Sequence, residues 1–430
     1  MSRYRYFIRP MEHGLSSEAP ALNLPYEISP NVENVRIDQR SVQNRPGYHT
    51  ADRDLGAGKA VYGIILYQIA DGTRVTLYLT GTDLLKRETA TGGTWSYKTE
   101  TYTTGTISSI TGTAVVGSGT SWDGNVAAGD YFIMDSDHDA DTELDSNWTA
   151  IASVTDDTHL TLASSYTKNG SDYKIRKVYT TPANERWQWA IVDDKFCFTN
   201  GNTDVQYYSG SNYASALDTT YASKARYCIE YANRLVLADS YVSSLRNPYR
   251  VTWSGEDDPT SFDPGADSSA GSADMMRTED YITGLGRVGQ EIVVYKRDSL
   301  IFGNETGVST APIEFPIIRE GVGCIAPYSI VHVRGTNLFL GRDDFYQIDR
   351  NEAIPIGGSN ISRIKHRFFD IVSDTEAYNT WGYTNHNENS VFWFANTAEG
   401  HKAFVWNYVT AEWAEHTYYH EISAGGKGAV

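Results

Sequence analysis

Three groups of side chains have types and spacings that could do chemistry. Asp135, Asp137, Asp139 and Asp141, with Glu143 and Asp145 behind them, place acids at alternate positions, the pattern by which a loop wraps oxygen ligands around calcium. A loop of that kind also needs Gly at its sixth place and a bidentate Glu at its twelfth; here those places hold Ala140 and Ser146. The run therefore reads as an exposed, solvated acidic loop facing a channel or a partner, and not as a metal site. Gly284-Leu285-Gly286-Arg287-Val288-Gly289 fits the dinucleotide-binding glycine pattern letter for letter. That fingerprint works where the turn opens a helix whose amides hold a pyrophosphate. Here it runs into Gln290-Glu291-Ile292-Val293-Val294-Tyr295, a strand sequence, so it is expected to be a glycine-rich turn between sheets. His416 and His420 stand four apart beside Glu415 and Glu421. On a helix they could share an ion, but Trp413 to Tyr419 has strand character, and in a strand such positions lie about 13 Å apart.

No P-loop, GxSxG elbow or HExxH occurs, so no catalytic, cofactor or metal residue is assigned and the chain is read as a non-enzyme. Cys197, Cys228 and Cys324 lie far apart without CxxC spacing and are expected to be buried apolar residues. The chain has 430 residues, 40% hydrophobic and 21% charged, enough for real cores and not disordered by composition. No run approaches the eighteen or so apolar residues of a membrane span. Arg3, Arg5 and Arg9 precede no apolar stretch, so the start is not read as a signal peptide, and synthesis in a cytoplasm is expected. The net charge of −18 argues against holding nucleic acid through phosphate neutralisation. It suits a conduit, in which adhesion to DNA would be a fault.

The elements that must position any such residues are short alternating runs of aromatic and β-branched residues cut by Gly, Asn and Asp, the mark of an all-β chain. A central apolar strand, a turn and a second strand recur six times. The central strands are Val75–Leu79, Phe196–Asn200, Leu235–Asp239, Ile292–Lys296, Leu338–Arg342 and Val391–Ala395. Their partners are Asp83–Arg87, Asp204–Tyr208, Arg250–Ser254, Ser299–Gly303, Phe345–Asp349 and Ala403–Asn407. Central strands start 121, 39, 57, 46 and 53 residues apart, and setting aside the 72 residues of Gly105–Arg176 reduces the long gap to 49. A period of roughly 40 to 50 residues, each unit a small antiparallel sheet, predicts a β-propeller of about six blades. The rival fold, a pair of β-sandwiches, does not explain the recurrence.

Three parts follow: an extended N-terminal arm over residues 1–50, with Pro25, Pro30 and Pro46; a propeller over 51–104 and 177–430; and an inserted β-rich module over 105–176. The module should contain four short strands, and such grafts tend to be contact surfaces. The arm, or the strand Trp413 to Tyr419, could complete a blade. One helix is predicted between the fifth and sixth repeats, capped by Ser362, with Ile364, Phe368, Ile371 and Val372 on its packed side. Trp187, Trp189, Phe392, Trp393, Phe394, Trp406, Tyr408 and Trp413 are expected to pack between blades, with sugar binding by exposed rings as the alternative. A propeller hydrolase stays open in principle, because two carboxylates brought together in space leave no sequence trace. The repeats lack an Asp-box, and the WD dipeptide occurs only as Trp122-Asp123, outside every repeat.

Several stretches carry a resemblance when taken together. They are Asn23–Tyr48, ending Asn44-Arg45-Pro46-Gly47-Tyr48; Val293–Phe302 followed by Asn304 and Gly307; Glu320–Ser329 and then Leu338–Asp344; and Phe404–Tyr408 with Glu412-Trp413. In this order they resemble the tail nozzle, or tail-hub, proteins of short-tailed bacteriophages, also called packaged-DNA stabilisation proteins. The resemblance spans most of the chain outside Gly105–Arg176. It implies a virion structural protein forming a homo-oligomeric ring, commonly a hexamer, below the portal and its adaptor. Such a ring retains packaged double-stranded DNA, passes it without tight binding during ejection, and offers attachment to a tail fibre, spike or plug. The implied location is the virion tail, assembled in the host cytoplasm, with no membrane insertion and no cofactor. The alternative is a glycan- or receptor-binding propeller, or propeller glycoside hydrolase, of a phage tail. The inserted module departs from the simplest family members.

Overall fold

The strand-and-turn periodicity becomes six four-stranded antiparallel sheets, the blades of a six-bladed β-propeller. The computed structural model describes residues 33–38, 41–44, 60–88, 95–138, 147–217, 220–357 and 364–426. Blade 1 comprises Val61–Gln68, Arg74–Thr80, Leu84–Glu88 and Trp95–Tyr97. Blade 2 comprises Gln188–Val192, Lys195–Thr199, Gln206–Tyr208 and Ser215–Ala216; blade 3 has Ala225–Tyr231, Arg234–Val242, Leu245–Trp253 and Gly271–Asp274. Blade 4 comprises Ile282–Val288, Glu291–Lys296, Ser299–Glu305 and Ile313–Glu320; blade 5 has Val331–Val333, Thr336–Leu340, Phe345–Asp349 and Glu352–Pro355. Blade 6 comprises Trp381–Asn385, Ser390–Thr397, Gly400–Asn407 and Glu412–Tyr418. All six central strands read from the sequence are second strands of blades, and all six partners are third strands.

The second strands form where they do because they are buried on both faces, which lets apolar side chains occupy consecutive positions. Ile292, Val293, Val294 and Tyr295 are all buried, as are Leu235, Val236, Leu237 and Ala238. Tight turns set the register ahead of them. Asp193-Asp194 and Ala232-Asn233 each hold positive φ at both central residues, the turn geometry whose twist matches that of an antiparallel pair. The glycines of the GxGxxG run do not make a turn between sheets as expected. Gly284 and Gly286 lie inside the first strand of blade 4, and Gly289, at φ +60°, opens the tight turn that follows. A Cβ on Gly286 would sit 2.3 Å from the Asn337 side chain and 2.9 Å from the Tyr295 ring, so close packing against blade 5 accounts for that glycine.

The chain divides into two compact units. One contains the arm, blades 4 to 6, Pro248–Val251 and the chain from Ser272 to Ile422. Its core gathers Phe345, Phe368, Trp393, Phe404 and Trp413, with the Phe345 ring 4.7 Å from Trp393 and 5.0 Å from Trp413. The helix expected between repeats is present as Lys365–Ile371, and Ile364, Phe368 and Val372 are buried in that core. Ser362 lies outside the described residues. A second helix, Asp374–Asn379, follows directly, with the Ser373 side chain accepting from the Glu376 amide. The described part of the arm is a hairpin, Val35–Asp38 with Ser41–Asn44, rather than a simple extended segment. It is tied to blade 6 where the Asn34 amide donates to Glu415 O (2.8 Å) and the Thr417 amide donates to Asn34 Oδ1 (3.0 Å). Pro25, Pro30 and Pro46 lie outside the described residues.

The other unit contains blades 1 and 2, Thr252–Gly271, most of the remaining part of blade 3 and the inserted residues. Its C-terminal tail contributes Gly426, which bridges in parallel to Ile64 on the first strand of blade 1. The inserted residues form a seven-stranded sheet ordered Thr101–Tyr102, Tyr173–Arg176, Tyr131–Met134, Thr149–Asp156, His159–Leu162, Ala114–Ser118 and Thr106–Thr111. Seven strands stand where four were expected, and Thr101–Tyr102 lies upstream of Gly105. The sheet encloses its own core of Ile107, Val115, Trp122, Phe132, Leu160 and Tyr173. Among the described residues, no helix is long and apolar enough to cross a membrane.

Candidate functional site

A polar recess in the unit of blades 4 to 6 lies at the turns that join the strands of blades 4 and 5. Its volume is about 700 Å³. Four separate segments build it: Arg277 to Tyr281 ahead of blade 4, Arg297-Asp298 in the turn between that blade's second and third strands with Ser299 opening the third, Glu320-Gly321 at the end of its fourth strand, and Arg342 in the matching turn of blade 5. Each segment can supply charged groups because turn residues escape the apolar alternation imposed on the strands.

Asp280 forms the floor. It accepts from the Asp298 amide (2.8 Å) and from the Ser299 hydroxyl (3.0 and 3.1 Å). The Lys296 ammonium, fully buried behind it, lies 3.1 Å away. That ammonium also donates to Met275 O (2.9 Å), Thr278 O (3.0 Å) and Thr278 Oγ1. Burial works against ionisation of Asp280, but hydrogen bonds from Thr278, the Asp298 amide and Lys296 outweigh it and hold the carboxyl below its ordinary range. Burial pulls the Lys296 ammonium below its ordinary value, and Asp280 offsets only part of that shift. The pair is locked by hydrogen-bonding neighbours on both sides. On the rim Arg342 pairs with Asp298. Among the described residues no ion pair engages Arg277 or Arg297, and Tyr281 is 37% exposed.

The acidic loop read from the sequence is described in part. Asp135 pairs with Lys174, and Asp137 accepts from the Tyr166 hydroxyl (2.9 Å) and Asn169 Nδ2 (3.1 Å). These two carboxylates tie the inserted sheet together. Asp139, Asp141 and Glu143 lie outside the described residues. No group of three or more metal-ligating side chains occurs among the described residues. His416 is buried within blade 6 with its Nε2 2.9 Å from Val35 O, whereas His420 is exposed beyond the strand. The three cysteines are free and buried; burial pushes the Cys197 and Cys324 thiols up to about 12.

Trp187, Trp393 and Trp413 are packing groups. Trp187 donates to Thr80 O of blade 1 (2.7 Å), Trp393 to Ser329 O ahead of blade 5 (3.0 Å), and Trp413 to Ile356 O (3.0 Å). Each indole thereby fills a gap between blades and satisfies its N–H in the same place. The recess residues were not singled out from the sequence, because no short motif joins four turns. One signal was available: Arg297-Asp298 and Arg342-Asp343 occupy the same turn of successive repeats.

No family model and no curated protein matches the chain. Among solved structures it is similar to PorZ, a bacterial surface component of the type-IX secretion system of Porphyromonas gingivalis, at 11% identity and a TM-score of 0.35, over 86% of this chain and 39% of that one. It is similar to the extracellular domain of BT4673 from B. thetaiotaomicron at 11% identity and a TM-score of 0.33, over 81% of this chain and 39% of that one. A third likeness is to KlHsv2 with loop 6CD replaced by a Gly-Ser linker, at 8% identity and a TM-score of 0.31, over 83% and 97% of the two chains. This chain thus spans well under two thirds of the first two proteins.

Proposed function

We propose that this chain is a non-enzymatic virion structural protein, the tail nozzle of a short-tailed phage. In this reading copies of the chain assemble into a ring, as a hexamer, beneath the portal and adaptor. The ring retains packaged DNA, conducts it during ejection and carries a fibre, spike or plug. The observation that carries the reading is the placement of the family-like segments. Val293–Phe302 falls on the second and third strands of blade 4, Leu338–Asp344 on the second strand and following turn of blade 5, and Phe404–Tyr408 with Glu412-Trp413 on the last hairpin of blade 6. Segments falling on the strands of three consecutive blades, in the family's order, support a shared architecture better than any one of them would. The net charge of −18 supports passage of DNA without capture.

Electron microscopy of the purified chain at high concentration, and of particles containing it, tests the assembly: rings on the particle axis are expected, and a monomer dispersed away from the tail would overturn the reading. Duplex DNA titrated at physiological salt should show no appreciable affinity. Submicromolar binding that weakens steeply with salt would contradict a conduit.

A further inference from the structure

The recess of blades 4 and 5 goes beyond this reading. Its cations are Arg277, Arg297, Arg342 and, behind the floor, Lys296; its carboxylates are Glu279, Asp280, Asp298 and Glu320. With Lys296 paired to Asp280 behind the floor, the two signs balance and the recess carries no net charge to favour a strong anion or cation. What the lining offers is a dense set of donors and acceptors around an open volume of about 700 Å³, within the range of small-ligand sites. A neutral polyhydroxyl ligand matches this best, because each hydroxyl can donate to a carboxylate while accepting from a guanidinium. Arg277 and Arg297 have donors to spare among the described residues, and Tyr281 offers an aromatic edge or face at the rim, suited to the C–H surface of a pyranose ring. The floor is pre-organised: Asp280 is held by Ser299, the Asp298 amide and Lys296 before any ligand arrives, which lowers the ordering cost of binding.

We infer that this recess is a saccharide-binding site for a neutral hexopyranose, presented by the turns of blades 4 and 5. The assignment stands independently of the nozzle reading.

Saturation-transfer NMR on the full chain, with the methyl glycosides of glucose, galactose, mannose and N-acetylglucosamine as probes, tests it. At least one glycoside should show transfer to its ring protons. Tyr281→Ala and Arg297→Ala should each weaken that binding by roughly tenfold. Both positions are exposed, so thermal melts should be unchanged. Tyr419→Ala, at an exposed aromatic outside the recess, should bind as the parent does. Absence of transfer from all four glycosides would overturn the assignment. So would transfer insensitive to both recess variants, or displacement of the glycoside by millimolar inorganic phosphate or by an acidic peptide.

Discussion

Trp122 and Trp393 are both fully buried indoles, yet their N–H groups go to different kinds of place. Trp122 donates to the Tyr173 hydroxyl (2.9 Å) inside the inserted sheet, with the two rings edge to face at 5.9 Å. Trp393 leaves its own sheet and donates to Ser329 O ahead of blade 5, while its ring packs on Phe345 of that blade. The inserted sheet therefore closes around its own core, whereas a blade is completed only by its neighbour. Damage should stay local in the first region and spread in the second.

The largest effect should come from Trp393→Ala. Loss of the ring and of its hydrogen bond should cost about 3–5 kcal/mol and loosen blades 5 and 6 together. Ser329 lies beside Cys324, whose thiol contacts its hydroxyl, so alkylation of Cys324 under native conditions should rise by orders of magnitude. Trp122→Ala should cost a similar amount within the inserted sheet and leave Cys197, Cys228 and Cys324 protected. Mass-spectrometric alkylation rates read both variants. Equal exposure of Cys324 in the two would break the distinction.

A smaller effect should follow at the joint of the inserted sheet with blade 1. The Arg176 guanidinium lies 3.5 Å from the centre of the Tyr97 ring, 4.8 Å from Tyr131 and 5.0 Å from Trp148, and pairs with Asp83 at 3.5 Å. A desolvated cation among ring faces contributes about 2 kcal/mol. Arg176→Met keeps much of the volume and loses the charge, so amide exchange at Tyr97, Thr101 and Tyr102 should accelerate while the Trp122 core stays protected. Simultaneous loss of protection in that core would show that the sheet leans on blade 1 after all.

The smallest effect is acid sensitivity of the arm's anchorage. Arg367 and Lys402 hold the exposed Glu399 carboxyl at about 2, against an ordinary 4.5. They also grip Glu415, at 2.8 Å and 3.0 Å, and Lys402 lies 3.7 Å from Glu33 of the arm. A carboxyl depressed on folding contributes in full above its unfolded value and loses that contribution as pH falls through its folded one. Protection factors of the Asn34 and Thr417 amides, taken relative to the intrinsic exchange rate at each pH, should therefore fall from pH 4.5 down towards 2. The Trp122–Tyr173 contact joins an indole and a phenol, neither of which ionises in that window. An arm equally protected at both ends of that window would remove these ion pairs from its anchorage.

Some of this could be read before folding. Leu235 to Ala238 and Ile292 to Tyr295 announce strands buried on both faces, since a surface strand would alternate. Ile364, Phe368 and Val372 announce one packed face of a helix. The second helix was missed although Ser373 and Glu376 stand three apart, the spacing of a capping box, because its six residues are too short for periodicity to register. Thr101–Tyr102 was missed as part of the inserted sheet because two residues carry no period at all.

The amino-acid order alone determined the strand pairs, their recurrence and the presence of a passenger segment, because backbone sterics and the burial of alternate or consecutive side chains act over neighbouring residues. The tertiary structure alone decided that Arg277, Asp280, Tyr281, Arg297 and Arg342 share one recess, that Arg176 is ringed by Tyr97, Tyr131 and Trp148, and that the arm rests on blade 6. The segments that supply those groups are separated by tens to hundreds of residues, and charges or rings so far apart along the chain have no common period. Only the stacking of sheets brings them within reach of one another.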